Sequence, residues 1–119
     1  MNTHDLGRSG EDQAVKWLKE KGHKIIFRNF RRRGFEIDII SVCTENILRF
    51  IEVKTVDKGS LGDAAFSIEN RNISNYIKGV EVFLSENSCF TSYQISMDAI
   101  VVMAKDIHYY QNITGELAF

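Results

Sequence analysis

Charged residues sit where the hydrophobic pattern asks for core. In FEIDIISVCTENILRFIEVKT, residues 35–55, Asp38, Glu52 and Lys54 interrupt two strand-like runs, with Glu36 and Arg49 beside them. Side chains alternate along a strand, so Glu52 and Lys54 leave the same face, which Leu48 and Phe50 mark as partly core. Asp38 lies on the preceding run, on a face expected to hold Glu36 and Ile40, while Phe35, Ile37 and Ile39 take the other. A hairpin whose faces coincide brings two carboxylates and an ammonium to one edge of a half-buried sheet. Unpaired, each such charge would be costly there. A divalent cation relieves that cost: Mg²⁺ (or Mn²⁺) accepts one or two carboxylates and completes its shell with water and substrate phosphate. Such a set can hydrolyse a phosphodiester, with Asp38 and Glu52 as metal ligands and Lys54 orienting the attacking water or stabilising charge on the phosphoryl group. An ion pair of Lys54 with Glu52 or Asp38 on a solvated edge would explain the same alternation without chemistry.

The elements that must position these residues are legible from periodicity. GEDQAVKWLKEKG places Ala14, Val15 and Leu18 on one helical stripe and Lys16, Lys19 and Glu20 outward, with Gly22 where a helix stops. Glu11 falls on the buried stripe, from which it could reach a metal directly or through water; its position in a first turn is also favoured by the helix dipole. His23 to Arg28 reads as a first strand, followed by an arginine-rich turn. Phe35 to Val42 and Ile47 to Thr55 read as a hairpin around CTEN. Ile73, Tyr76, Ile77, Val80, Phe83 and Leu84 recur at helical spacing and define a second helix. Tyr93 to Met103 reads as a fourth strand, nearly continuous in apolar residues near AIVVMA as a strand covered on both faces would be, and Ile107 to Tyr110 as a fifth. This order predicts an α/β (α+β) domain with a mixed central sheet of about five strands and a helix against each face.

With Glu11, Asp38, Glu52 and Lys54 in this order, the chain resembles the PD-(D/E)XK restriction-endonuclease-like nucleases. More narrowly, GRSGEDQAVKWLKEKG, RNFRRRGFEIDII and FIEVKT resemble the three motif blocks of the bacterial UPF0102 (YraN-like) family, which is similar to archaeal Holliday junction resolvases. The resemblance runs from about Gly7 to Lys54 and, more weakly, through the second helix to Asp98 and Phe119. It implies a restriction-endonuclease-like fold and transfers the metal-ligand roles to Asp38 and Glu52, the motif lysine to Lys54 and the helix acid to Glu11. The chain departs from the family's pattern at four places. Phe35 stands between Gly34 and the Glu-Ile-Asp triplet, and Val56 replaces an arginine two residues after Lys54. Glu69 or Asn70 stands where a lysine opens the second helix, and Ser96 replaces an arginine two residues before Asp98. The acidic set is intact, whereas lost basic contacts lower affinity for phosphates.

At 119 residues, 44% hydrophobic and 26% charged, the chain is expected to form one globular domain over 1–119. Its formal net charge of −1 supplies no global basic field. A nucleic-acid partner would therefore be held by local cations: Arg28, Arg31, Arg32 and Arg33 in FRNFRRRG, with Arg71 a further contact. The same cluster could equally be a solvated turn. No apolar run is long enough to span a bilayer and no secretory signature opens the chain, so a cytoplasmic protein without membrane contact is expected. Cys43 and Cys89 form no CxxC or Cys/His cluster, and His4, His23 and His108 are scattered. Free thiols are expected rather than a zinc site.

Three functions fit this reading. The first is metal-dependent cleavage of DNA, branched DNA included; a homodimer would match the two-fold symmetry of a four-way junction. The second is a catalytically inactive nucleic-acid-binding module of the same fold. The third is a protein-interaction domain using the aromatic tail HYYQNITGELAF.

Overall fold

The structure, a computed structural model, describes residues 3–43, 46–56, 73–104 and 106–113. In chain order these form α1 (Thr3–Glu20), β1 (Lys24–Arg32), β2 (Phe35–Val42), β3 (Ile47–Val56), α2 (Ile73–Glu86), a 3₁₀ turn at Ser88–Phe90, β4 (Gln94–Met103) and β5 (Asp106–Tyr110). The strands make one mixed sheet in the order β1-β2-β3-β4-β5. β3 and β4 are parallel, and every other neighbouring pair is antiparallel. The expected α+β class and mixed five-stranded sheet are thus present.

Each helix covers one face. Ala14, Val15 and Leu18 of α1 pack on Ile39, Ile51, Ile100 and Val102. Tyr76, Val80 and Phe83 of α2 pack on Phe30, Phe35, Ile37, Ile40, Leu48, Phe50 and Met97. Two glycines allow close approach of helix to sheet. A Cβ on Gly10 would lie 1.9 Å from Oγ1 of Thr55, and one on Gly79 would lie 2.7 Å from Cδ1 of Ile37.

Two expectations are corrected. The arginine-rich segment is not a turn: β1 runs on to Arg32 because Phe30 is buried in the α2-side core, and the reversal needs only Arg33 and Gly34, the latter at φ 95°. The facing of β2 also differs from strict alternation. Phe35 and Ile37 face α2 as a pair, but the next α2-side residue is Ile40, while Ile39 joins the α1-side core. The strand changes face at Asp38. Its partner β1 changes face in the same interval, between the Arg28↔Ile39 and Phe30↔Ile37 pairs, where Asn29 takes a left-handed φ of 56°.

Candidate active site

The site lies where the sheet opens. β2 and β3 pair from Val42↔Leu48 to Ile39↔Ile51, and the register goes no further. Beyond Ile51 the backbone N–H of Val53 donates not to a strand carbonyl but to Oδ2 of Asp38, at 2.8 Å. A buried amide has to find an acceptor, and here a side chain substitutes for the missing ladder bond. The change of face in β2 thus turns Asp38 into the gap, and the strands are free to diverge around it.

A cleft of about 250 Å³ occupies this opening, lined by Gly34, Phe35, Glu36, Asp38, Glu52, Asn75 and Tyr76. Asp38 and Glu52 therefore share one cavity. Burial pushes the Asp38 carboxyl up to about 7, against the Val53 N–H that favours its charged form, and the neighbouring Glu11, Glu36 and Glu52 raise it further. Burial first, and the surrounding negative charge after it, hold the proton on Asp38 below about pH 7.

Glu11 is brought to this region by α1, whose preceding residue, Gly10, packs against Thr55 of β3. Its Oε2 lies 3.9 Å from a guanidinium nitrogen of Arg28, which approaches Asp12 more closely, at 2.8 Å. Lys54 is half-buried and follows Glu52 on the same face of β3, but it is not among the residues lining the cleft. Among the described residues no three His, Cys, Asp or Glu side chains form a ready-made metal cage. Asp38 and Glu52 in one cleft, with Glu36 at its lining, nevertheless suit a divalent cation that keeps most of its water.

The arginines of β1 are occupied. Arg28 pairs with Asp12, Arg31 with Glu36 at 3.2 Å and Arg32 with Glu86 at 2.8 Å, while Arg33 is exposed in the turn. Arg71 lies outside the described residues.

The sequence profile described as "Uncharacterised protein family UPF0102" matches residues 10–102. The chain belongs to the UPF0102 family. It is 33% identical to a UPF0102 protein of Carboxydothermus hydrogenoformans over 117 residues, covering 95% of this chain and 98% of the relative. It is 38% identical to UPF0102 proteins of Chlorobium phaeobacteroides and Natranaerobius thermophilus, each match covering 87% of this chain, with 80% and 87% of the relatives covered. The matched span of this UPF0102 chain contains Glu11, Asp38, Glu52 and Lys54, and the mixed sheet is compatible with the nuclease-like fold that its motif blocks imply.

Two features of the site are not legible in the sequence. Asn75 and Tyr76 line the cleft from α2 although nothing in the helical stripe marks them as more than surface and core. Asp98, fully buried, is the centre of a second polar cluster: Arg49 donates to its Oδ2 at 2.8 Å, and Ser96, the Tyr109 hydroxyl and the Asn112 amide also donate to it. Arg49 stands beside Ser96 across the β3–β4 ladder. A guanidinium from the neighbouring strand thus serves the aspartate whose expected partner at position 96 is a serine. The signal available was an arginine inside an otherwise apolar run.

Proposed function

We propose that this chain is a divalent-metal-dependent phosphodiesterase acting on DNA, branched DNA included. The observation that carries this reading is the shared lining of one cleft by Asp38 and Glu52 at the point where β2 and β3 part. In this reading Asp38 and Glu52 hold Mg²⁺ or Mn²⁺, and Glu11 adds its negative charge from α1. When bound, the ion supplies positive charge against the charge that develops on the phosphoryl oxygens.

The remaining chemistry belongs to the chain. Lys54, on the Glu52 face, orients the attacking water or stabilises the phosphoryl charge. Phe35 and Tyr76 wall the cleft and limit water around the carboxylates. Arg33 is available to a backbone phosphate, while Arg31 and Arg32 beside it are each held by a carboxylate. A dimer would place two such clefts on a two-fold substrate.

Labelled single-stranded, duplex, flap and four-way-junction DNA, incubated with Mg²⁺, Mn²⁺ or EDTA, tests the proposal. The wild type is expected to cut only with metal, and Asp38→Asn and Lys54→Ala to lose about 100-fold or more of the rate. DNA retained in EDTA but never cut would favour the non-cleaving module. Neither binding nor cutting would favour the protein-interaction domain.

A further inference from the structure

Among the described residues, Asn29 is the only one inside a strand with a left-handed backbone; Asn46, Ala104, Asn112, Gly22 and Gly34 all lie outside strands. It stands in β1 between Arg28, which pairs with Ile39, and Phe30, which pairs with Ile37. Those two partners face opposite layers: Ile39 belongs to the α1-side core, Ile37 and Phe30 to the α2-side core. In regular strands, residues two apart share a face. Both strands therefore reverse their facing between the Arg28↔Ile39 and Phe30↔Ile37 pairs, where Asn29 and Asp38 lie, and the backbone at Asn29 takes the unusual dihedral that permits it.

The reversal has two consequences at the cleft. On β2 it sets Asp38 between residues committed to opposite faces, with its carboxylate directed across the opening to Val53. On β1 it sends Arg28 to the α1 side, where it meets Asp12 and Glu11, while Phe30 two residues later enters the opposite core. Asparagine tolerates positive φ because its short polar side chain fits there; a β-branched residue does not.

We infer that Asn29 is a positioning residue whose left-handed backbone directs the Asp38 carboxylate into the opening between β2 and β3. Its functional meaning rests on the proposed function, but the placement itself can be read without metal or activity.

The test uses the ¹⁵N-labelled full chain as wild type, Asn29→Gly and Asn29→Val. Glycine keeps positive φ without the amide, whereas valine resists it and favours regular alternation. The readout is hydrogen exchange at the Val53 amide, relative to β3 amides paired with β4. Asn29→Gly is expected to keep Val53 protection within about threefold of wild type and Asn29→Val to lose about tenfold or more. Where Asn29→Val does not fold, Asn29→Ala takes its place with the same expected direction.

Unchanged Val53 protection in the folded valine or alanine variant would overturn the inference. So would equal loss in Asn29→Gly, which would assign the effect to the side-chain amide. Titration with Mn²⁺ separates the two readings: affinity is expected to fall about 10-fold or more in Asn29→Val and little in Asn29→Gly. A wild type that binds no Mn²⁺ would sink the metal-dependent function, while the Val53 result still decides the role of Asn29.

Discussion

Asp38 is pulled in two directions by its surroundings. Burial and the carboxylates of Glu11, Glu36 and Glu52 favour its neutral form, whereas the Val53 amide, and any cation in the cleft, favour the anion. The folded value of about 7 lies above the ordinary 3.8, so between these pH values the metal-free fold holds a proton that the unfolded chain has released. This contribution to stability is full below about pH 4 and is lost as pH rises through about 7. Urea unfolding at about pH 5 and about pH 8 is expected to show a decline on the order of 2 kcal/mol from this source, reduced in Asp38→Asn. Metal works with the opposite sign. Mn²⁺ must displace the proton, so its affinity should rise across the same interval, and isothermal titration at several pH values measures it. Burial of Asp38 was foreseeable from its apolar neighbours; its bond to the Val53 amide was not, because the acceptor's partner belongs to a strand that has stopped pairing.

At the scale of elements, the parallel β3–β4 pair carries its own polar lock. Arg49 and Asp98 are 6% and 0% exposed, and the aspartate accepts from Ser96 and Asn112 as well as from the arginine and Tyr109. Burial, and next the adjacent Asp98 carboxylate, push the Tyr109 phenol up, so it stays a donor. Burial and then the Arg49 guanidinium lower the His23 imidazole against the opposing pull of Asp98, and its Nδ1 lies 3.1 Å from the Ser41 hydroxyl. Removing one partner leaves the other's charge buried. Asp98→Ala should therefore cost about 3–5 kcal/mol in chemical denaturation, far more than an exposed ion pair such as Arg32–Glu86. The helices and strands were readable because their signals are local: a stripe at helical spacing, or alternation over a few residues. The end of β1 resembles a turn in sequence, since four arginines obscure the single buried Phe30 that keeps the segment in the sheet.

For the whole molecule, charge decides how a polyanion could be held. The net charge is −1 and the arginines of β1 are largely answered by acids, two from α1, one from β2 and one from α2. Few cations are then left to displace counterions from a nucleic acid. Fluorescence anisotropy of DNA binding at several salt concentrations should give a log–log slope of about −1 to −3, shallow for a DNA-binding protein. Glu86→Gln, which frees Arg32, should steepen that slope by about one. Among the described residues no helix is long and apolar enough to cross a membrane.

By itself the sequence determined the element order, the two-sided sheet and membership of the UPF0102 family, because these rest on periodicities and motif blocks contained within short stretches. Tertiary structure decided how the charged residues meet. The reversal of facing at Asn29 and Asp38, the opening of β2 from β3 and the pairing of Arg32 with Glu86 join positions far apart in the chain. One backbone dihedral inside a strand redirects every side chain that follows it, and alternation read from residue types alone carries no record of that dihedral.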